Sequence, residues 1–485
     1  MRAAEKVRFI RKIKEIQRKE HTFVNHTEEQ DICRALTELQ AEAISLGNAL
    51  EELGIGKAVE KLEVYCEEIY QCSLLSHGTE AELEQLQKLR KLSREIEMDI
   101  ATIPAKVKIA FFSYKISMWD SLESIWEAAR RDDRCECQLV PIPYYTKDSA
   151  GEFKEMHYEG SRFPAEALDY RAYFLEQEKP DIMYIHNPYD QYNKVTRIDA
   201  RFYSAELKKT GGTLVYVPYY MSGFSTKHDG MLSFCSSMGV INSDYIILQS
   251  ENLKKAYEYC GLPVRRLLAL GSPKIDAVYK IAEKKYDIVE EWKPVIENRK
   301  VILVNTSIST CIQIREWLGE IQKMIEYILQ KDQFALIWRP HPLLWDTIKS
   351  TENEKQYKAL INKIINAKNA VIDENDNAEA AISVSDAMIS DYSSLVIQYN
   401  FTGKPSYLLT GKSEYRNYQV YGDYFSNYFR EDGERLEDFM EMLLEGKDFK
   451  KEERIRYAKE SIVNADGSCG EKVHKMIYER VMEVL

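Results

Sequence analysis

The chain has 485 residues, of which 45% are hydrophobic and 30% are charged, and it contains 13 prolines and 21 glycines. This composition excludes collagen-like, low-complexity and fully disordered proteins, and the length predicts two to four domains of about 100–200 residues each. The formal net charge of -12 argues against a nucleic-acid partner, because nucleic-acid backbones are bound by clustered lysines and arginines.

Nine cysteines are scattered along the chain, and Cys135 and Cys137 are the only two that lie close together. Their spacings match neither a zinc site nor a disulfide framework, so we expect free thiols, as in proteins of the reducing cytosol. No stretch approaches the roughly 18 consecutive apolar residues of a transmembrane helix. The expected location is therefore cytoplasmic.

Residues 1–103 are predicted to form a helical arm, because this region is rich in Glu, Lys, Leu and Ala and contains no proline. Leu83, Leu86, Leu89 and Leu92 recur near helical spacing, which indicates an amphipathic helix or a short coiled coil. Such an arm would brace the protein, bind a partner or join copies of the chain in a homo-oligomer.

Residues 1–20 combine basic character with an apolar face. They carry eight basic and three acidic side chains, and Phe9, Ile10, Ile13 and Ile16 share one helical face. A helix of this kind can lie on an anionic membrane surface, or it can be a surface helix packed on its own protein. The sequence leaves both alternatives open.

From residue 104 onward, short apolar runs alternate with helical stretches, which predicts an α/β fold with two parallel sheets covered by helices. We expect an N-terminal domain at 104–280, a C-terminal domain at 281–415, and helices at 416–485 that pack across both. The predicted strands are 107–113, 138–143, 181–186, 213–218, 245–249 and 267–270 in the first domain, and 301–305, 334–338, 370–372, 387–390 and 406–409 in the second. Between the strands of the first domain we expect helices near 119–131, 166–178, 197–209 and 251–260.

Neither predicted sheet has a glycine-rich phosphate-binding motif after its first strand. The patterns G-x-G-x-x-G and G-x-x-x-x-G-K-[ST] are both missing there, which disfavours dehydrogenases and P-loop NTPases. Ligands of parallel sheets bind at the carboxyl ends of the strands. Those ends are therefore the places to search for chemistry.

A pair of serines follows the predicted strand 387–390. Ser393 and Ser394 come directly after Asp391 and Tyr392 and open a helix. Their hydroxyl groups and the free N–H groups of the helix could hold a phosphate or a pyrophosphate. Alternatively, Asp391 and a serine simply cap the helix.

A histidine between two prolines follows the predicted strand 334–338. The prolines exclude helix and stiffen the backbone around His341, and Arg339 lies two residues before it. Thr306 and Ser307 follow the strand 301–305 in the same way. Together these strand ends predict a crevice that binds an anion, most simply a nucleotide diphosphate.

Three segments resemble the CDP-glycerol glycerophosphotransferase family, which comprises the teichoic acid primases and polymerases. They are RPHP at 339–342, ISDYSSLVIQYNFTGKP at 389–405 and ALGSPKIDAV at 269–278. The resemblance implies a GT-B fold, with two Rossmann-like domains facing a cleft, and it implies no metal and no cofactor. It also implies that His341, Ser393 and Ser394 bind the phosphates of the donor.

The chain departs from that family in its first domain. Family members usually carry Trp-His-Gly at a strand end, where the histidine is the expected base, but Tyr219 and Tyr220 stand there in this chain. We interpret these tyrosines and His228 as acceptor-binding residues. His186, at the end of the strand 181–186, is the substitute base, with Asp190 to orient it, unless it is a structural histidine.

These observations predict a cytoplasmic, peripherally membrane-associated transferase. It would pass glycerol phosphate, or a related polyol phosphate, from a CDP-activated donor to a hydroxyl of a lipid-linked or polymer acceptor, in teichoic-acid-like or capsular polymer synthesis. The alternative is a GT-B glycosyltransferase that uses a nucleotide sugar. A second alternative is a nucleotide-binding or scaffold protein without catalytic activity.

Overall fold

A computed structural model describes residues 1–23, 29–76, 78–147, 152–193, 196–221, 232–283, 288–308, 311, 316–342, 344–349, 351–391, 393–409, 428–431 and 433–484. The chain divides into two compact units. One consists of Met1–Ile109, Asp132–Glu136 and Tyr478–Leu485, and the other of Ala110–Arg131 and Cys137–Ile477.

The first unit is built on helices α1 (Ala3–Phe23), α2 (Glu29–Glu51), α3 (Gly56–Ser73) and α4 (Glu80–Thr102). Each contributes apolar side chains to one shared core, so the predicted arm is a packed helical bundle rather than an extended coiled coil. Thr79 caps α4, because its hydroxyl accepts a hydrogen bond from the backbone N of Glu82 at 3.3 Å.

The apolar face of α1 points into this bundle. Phe9, Ile13 and Ile16 are 1% exposed or less, so the face is not available to a membrane surface. Packing on the protein itself, the alternative that the sequence left open, is what the structure shows. Several basic side chains of α1 also have acidic partners within the bundle, such as Lys19 with Glu42. Membrane association stays a prediction.

An α/β domain follows the helical bundle. Its strands are β1 (Val107–Ser113), β2 (Cys135–Pro141), β3 (Tyr144–Lys147), β4 (Phe153–His157), β5 (Ile182–Ile185), β6 (Thr196–Ile198), β7 (Thr213–Tyr216), β8 (Tyr245–Leu248) and β9 (Leu267–Ala269). Its helices are α5 (Glu123–Arg130), α6 (Leu175–Glu178), α7 (Ser204–Lys208), α8 (Leu232–Cys235), α9 (Met238–Asn242), α10 (Glu251–Tyr259) and α11 (Pro273–Glu283). Among the described residues, the main sheet has six strands in the order β2-β1-β5-β7-β8-β9.

A second α/β domain follows. Its strands are β10 (Lys300–Thr306), β11 (Phe334–Pro340), β12 (Ala370–Ile372), β13 (Ala387–Ser390), β14 (Ser406–Leu408) and β15 (Phe429–Arg430). Its helices are α12 (Lys293–Ile296), α13 (Trp317–Leu329), α14 (Leu344–Ile348), α15 (Glu354–Ile365), α16 (Glu379–Val384) and α17 (Ser394–Asn400). The chain ends with α18 (Leu436–Glu445), α19 (Lys451–Ser461) and α20 (Cys469–Val484). The strands, as far as they are described, pair in parallel in the order β12-β11-β10-β13-β14-β15.

The eleven predicted strands are all present, with ends that differ by a few residues at most. Two predicted helices, at 166–178 and 197–209, are broken. Asp169 and Asp199 each accept a hydrogen bond from the backbone N two residues later, at 2.9 and 3.0 Å. Such a local turn competes with helix formation, so only α6 and α7 remain at the ends of these segments.

The segment after Tyr144, for which we predicted no strand, contains regular structure. Here β3 pairs antiparallel with β4 on one side and with β6 on the other. Strongly polar short strands of this kind lack the long apolar runs from which the other strands were predicted.

The segment 269–278 joins the two α/β domains to the C-terminal helices. Asp276 accepts hydrogen bonds from the backbone N of Cys469 at 3.1 Å and of Gly470 at 2.7 Å, which satisfies the start of α20. Gly271 has φ +102°, and a Cβ at this position would lie 2.3 Å from the carbonyl oxygen of Val463. The family-like glycine and aspartate in this segment thus have structural reasons.

We predict that Gly271→Ala lowers the free energy of unfolding by about 2 kcal/mol or more, because both the positive φ and the close carbonyl penalise a side chain. Gly446→Ala is the matched control: its φ is +68° with nothing within 4 Å, so only the backbone cost of about 1 kcal/mol remains. Denaturant unfolding measures both, and equal losses would contradict the close contact.

Candidate functional site

The second sheet reverses its strand order at β10. This strand lies between β11 and β13, and the register pairs Asn305 with Arg339 on one side and with Ser390 on the other. The carboxyl ends of these three strands therefore meet at one edge. In open parallel sheets such a reversal leaves a crevice between the strand ends, which is where ligands bind.

Side-chain hydrogen bonds tie the three strand ends together. The Asp391 carboxylate accepts from the backbone N of Ser307 at 2.8 and 3.0 Å and from its hydroxyl at 3.1 Å. Trp338 donates its indole N–H to the Thr306 hydroxyl at 3.2 Å. Thr306, Ser307 and Asp391 were predicted to bind the donor. The structure brings them to the same edge of the sheet, where all three are buried and hydrogen-bonded to neighbouring side chains.

His341, Ser393 and Ser394 lie at the same edge and are only partly buried. The backbone N of His341 donates to the carbonyl of Thr306 at 3.0 Å, which fixes the imidazole just beyond β11. Ser393 caps α17 by accepting from the backbone N of Leu395 at 3.0 Å. These three side chains can therefore reach a ligand.

The His341 imidazole is neutral near pH 7. Burial lowers its pKa below the usual 6.5, and the positive charge of Lys115 lowers the pKa further. A neutral imidazole can donate one hydrogen bond, for example to a phosphate oxygen, without carrying charge itself.

We predicted that Arg339 binds the donor in the crevice, but its guanidinium is held by other groups of the protein. Its guanidinium donates to the Asp373 carboxylate at 2.7 Å and to the carbonyls of Asn375 at 3.0 Å and Asp376 at 3.2 Å. Asp373 is fully buried and draws the guanidinium away from the strand ends, because a buried carboxylate needs a charged partner. Arg339 therefore holds the segment after β12, and its role in binding the donor stays a prediction.

His186 is enclosed at the end of β5. Its Nδ1 lies 3.2 Å from the Met118 carbonyl and 3.0 Å from the Ser121 hydroxyl, and its Nε2 lies 3.3 Å from the Ser113 hydroxyl and accepts from the backbone N of Tyr114 at 3.5 Å. Burial lowers the pKa of His186 to about 3. In this structure the imidazole is neutral and does not reach an acceptor, as expected of a structural histidine.

Of the other residues predicted in the first domain, Asp190 lies apart from His186, whereas Tyr219 lies next to it. Asp190 does not meet His186; its carboxylate accepts from the hydroxyl of Ser204 at 2.6 Å and caps α7. Tyr219 and Tyr220 are partly buried and stack edge to face, with the Tyr219 ring 6.2 Å from that of His186. Burial raises the pKa of both tyrosines.

His228 lies outside the described residues, so its predicted role in acceptor binding stays a prediction.

Sequence reasoning missed Lys115, which lies just beyond the end of β1. Its ammonium lies 4.7 Å from the ring centre of Tyr144 and 5.8 Å from that of Tyr114, and burial lowers its pKa. The nearby Glu159 carboxylate accepts from the Tyr144 hydroxyl at 3.0 Å. The sequence pattern could have identified it, because Lys115 is a basic residue just beyond a predicted strand, as Arg339 is.

The burial of His186 predicts a pH dependence of stability. In the unfolded chain this imidazole titrates near 6.5, and in the fold near 3. Its stabilising contribution is complete above pH 6.5 and is lost as the pH falls toward 3, at up to about 1.4 kcal/mol per pH unit. Urea unfolding should therefore show that wild type loses more stability than His186→Gln between about pH 7 and about pH 5. Parallel losses would show that the imidazole titrates normally.

The ion pair of Arg339 and Asp373 predicts a structural phenotype. Arg339→Met and Asp373→Asn should each lower the free energy of unfolding by about 3 kcal/mol, and the double variant by less than the sum, because each single change leaves a buried group unpaired. Arg435→Met, from the exposed pair with Glu437, should cost at most about 0.5 kcal/mol. An Arg339→Met protein of unchanged stability that binds the donor more weakly would instead place Arg339 in the crevice.

Known structures of the same architecture include a putative UDP-N-acetylglucosamine 2-epimerase from Listeria monocytogenes. It has 12% identity and a TM-score of 0.51 over 78% of this chain and 98% of that one. The wall teichoic acid polymerase TagF has 14% identity and a TM-score of 0.51 over 88% and 98%. UDP-GlcNAc 2-epimerase from Neisseria meningitidis has 13% identity and a TM-score of 0.50 over 77% and 100%. At these identities the likeness shows the fold, and it confirms the predicted GT-B arrangement of two Rossmann-like domains.

Comparison with curated protein sequences gives no match. The family model described as CDP-Glycerol:Poly(glycerophosphate) glycerophosphotransferase, however, matches residues 233–479, which is more than half of the chain and includes the crevice of the second sheet. The chain belongs to this family, and it is a CDP-glycerol glycerophosphotransferase-like transferase.

Proposed function

We propose that this protein transfers glycerol phosphate from CDP-glycerol to a hydroxyl group of a lipid-linked or polymer acceptor, in the synthesis of a teichoic-acid-like or capsular polymer. One observation carries the proposal: His341, Ser393 and Ser394 gather, partly exposed, where the strand order of the second sheet reverses. That crevice lies within the residues that match the family.

The proposed reaction displaces CMP from the donor. The acceptor hydroxyl oxygen forms a bond to the distal phosphorus and releases its proton to solvent, the bond from this phosphorus to the bridging oxygen breaks, and CMP leaves with the electron pair. Such reactions are accelerated mainly by positioning and by stabilising charge on the phosphoryl oxygens. His341 supplies an N–H donor, and Ser393 and Ser394 supply hydroxyl donors on the side of the second domain.

The proposal assigns His186 a positioning role instead of the role of base. Its imidazole is enclosed and contacts the Ser113 hydroxyl and the backbone N of Tyr114, at the end of β1. The partly exposed Tyr219 lies beside it at the end of the first domain's sheet and remains our proposed acceptor contact, together with Tyr220.

A lipid-linked acceptor would bring the protein to a membrane surface. None of the described helices combines the length and apolar character of a membrane span. We propose that any contact with anionic lipid uses exposed basic side chains of α1, such as Arg8 and Arg18, because the apolar face of that helix is buried.

The direct test supplies CDP-glycerol with a lipid-linked or polymeric glycerol phosphate acceptor and measures CMP release. His341→Gln should lower the rate by about 100-fold, as loss of a donor to a developing charge does elsewhere. The exposed His21→Gln in the helical bundle is the matched control and should leave the rate unchanged.

The rival readings give different outcomes in this assay. Release of UDP from UDP-GlcNAc, without CMP release from CDP-glycerol, would identify a nucleotide-sugar enzyme. Binding of CDP-glycerol without turnover with any acceptor would identify a nucleotide-binding or scaffold protein.

A further inference from the structure

We propose that Lys115 binds the distal phosphate of the nucleotide diphosphate donor from the side of the first domain, as a cation without a carboxylate partner among the described residues. This inference rests on the proposed function and names a residue of the same site.

Lys115 occupies the corresponding reversal point of the first sheet. There β1 lies between β2 and β5, so the chain beyond β1 enters the crevice at the carboxyl edge. The chain leading to Lys115 is anchored to β5, because the buried imidazole of His186 lies 3.3 Å from the Ser113 hydroxyl and accepts from the backbone N of Tyr114 at 3.5 Å. A side chain presented from so firm a support is well suited to position a ligand.

The surroundings of Lys115 leave its charge without an ion pair. Among the described residues, no carboxylate oxygen lies within 4.0 Å of its ammonium. The nearby Glu159 carboxylate already accepts hydrogen bonds from the backbone N of Ile116 at 2.9 Å and from the Tyr144 hydroxyl. Burial of a cation against aromatic rings without a carboxylate is costly, and a bound anion would offset that cost.

Lys115 lies two residues beyond β1 and His341 lies directly beyond β11, so each stands at the carboxyl edge of its own sheet. The positive charge of the lysine lowers the pKa of the histidine, which agrees with this placement. Direct contacts join the same two domains around them. Arg162 of the first domain pairs with Asp376 of the second, and Gln398 donates to Asp120 at 3.4 Å. The two side chains thus border one crevice from opposite domains.

The chemistry of the donor explains why a cation is needed here. On the second domain His341 is neutral, Ser393 and Ser394 are hydroxyl donors, and Arg339 is occupied by Asp373. A diphosphate is strongly anionic, so neutral donors alone compensate its charge poorly. The transferred phosphoryl group must face the acceptor domain, and Lys115 is a described cation on that side.

The test compares binding of CMP and CDP by isothermal titration calorimetry. Lys115→Met keeps the aliphatic stem against Tyr144 and removes the charge. We expect it to weaken CDP binding by about 10-fold or more and CMP binding by less than about threefold, because only CDP has the distal phosphate. Lys115→Arg should restore most of the CDP affinity, and the exposed Lys209→Met is the matched control.

A second readout reports on His341. Removal of the Lys115 charge should raise the pKa of His341 toward its usual value, which NMR of labelled histidines can follow without any substrate. A merely structural lysine would not change CDP and CMP binding differently.

The outcomes separate this inference from the proposed function. If wild type binds CDP but transfers nothing from CDP-glycerol, the proposed function fails while the Lys115→Met comparison still decides the inference. If Lys115→Met binds CDP as tightly as wild type does, the inference is overturned although CMP release from CDP-glycerol continues to support the function. Failure of wild type to bind CDP overturns both.

Discussion

The crevice of the second sheet depends on the hydrogen bonds that the buried Asp391 carboxylate accepts from Ser307. They hold the end of β10 against the end of β13, at the point where the strand order reverses. With these strand ends fixed, the backbone of His341 continues from β11 beside Thr306, and Ser393 begins α17. A carboxylate can therefore lie beside a site for an anion, because the Asp391 oxygens accept hydrogen bonds from Ser307 and join the two strand ends.

The same reasoning distributes the positive charge of the site. In an acidic protein each cation is attracted by carboxylates, and Arg339 is captured by the buried Asp373. Lys115 is flanked by aromatic rings instead, which accommodate its stem and its charge without neutralising it. The crevice thus combines neutral hydrogen-bond donors on one domain with a cation on the other, an arrangement suited to a phosphoryl group that passes between them.

Beyond the crevice, the family-like segment at 269–278 has a mechanical role. Lys274 binds Asp120 of the first domain at 2.5 Å, and Asp120 also accepts from Gln398 of the second. Asp276 receives the start of α20. Lys274 and Asp276 thus connect the first domain and the C-terminal helices to this segment, and Asp120 links it to the second domain through Gln398. Such buried or partly buried polar contacts are costly to break once formed.

Much of the fold was predictable because strands in parallel sheets are continuous apolar runs, and such runs are visible locally in a sequence. The candidate site could be located in outline for the same reason: His341, Ser393 and Ser394 follow predicted strands within four residues. The short polar strands β3 and β4 were missed, and the helices at 166–178 and 197–209 were overpredicted, because hydrogen bonds of Asp169 and Asp199 outweigh helix propensity there.

The sequence by itself determined the alternation of strands and helices, the amphipathic helices of the first 103 residues and the strand ends that carry polar side chains. Only the tertiary structure decided which of those side chains face a ligand. Arg339 meets a carboxylate 34 residues further along the chain, His186 is enclosed by the end of β1, and the apolar face of α1 is covered by its own bundle. Each outcome depends on burial and on partners distant in sequence, and local periodicity contains neither.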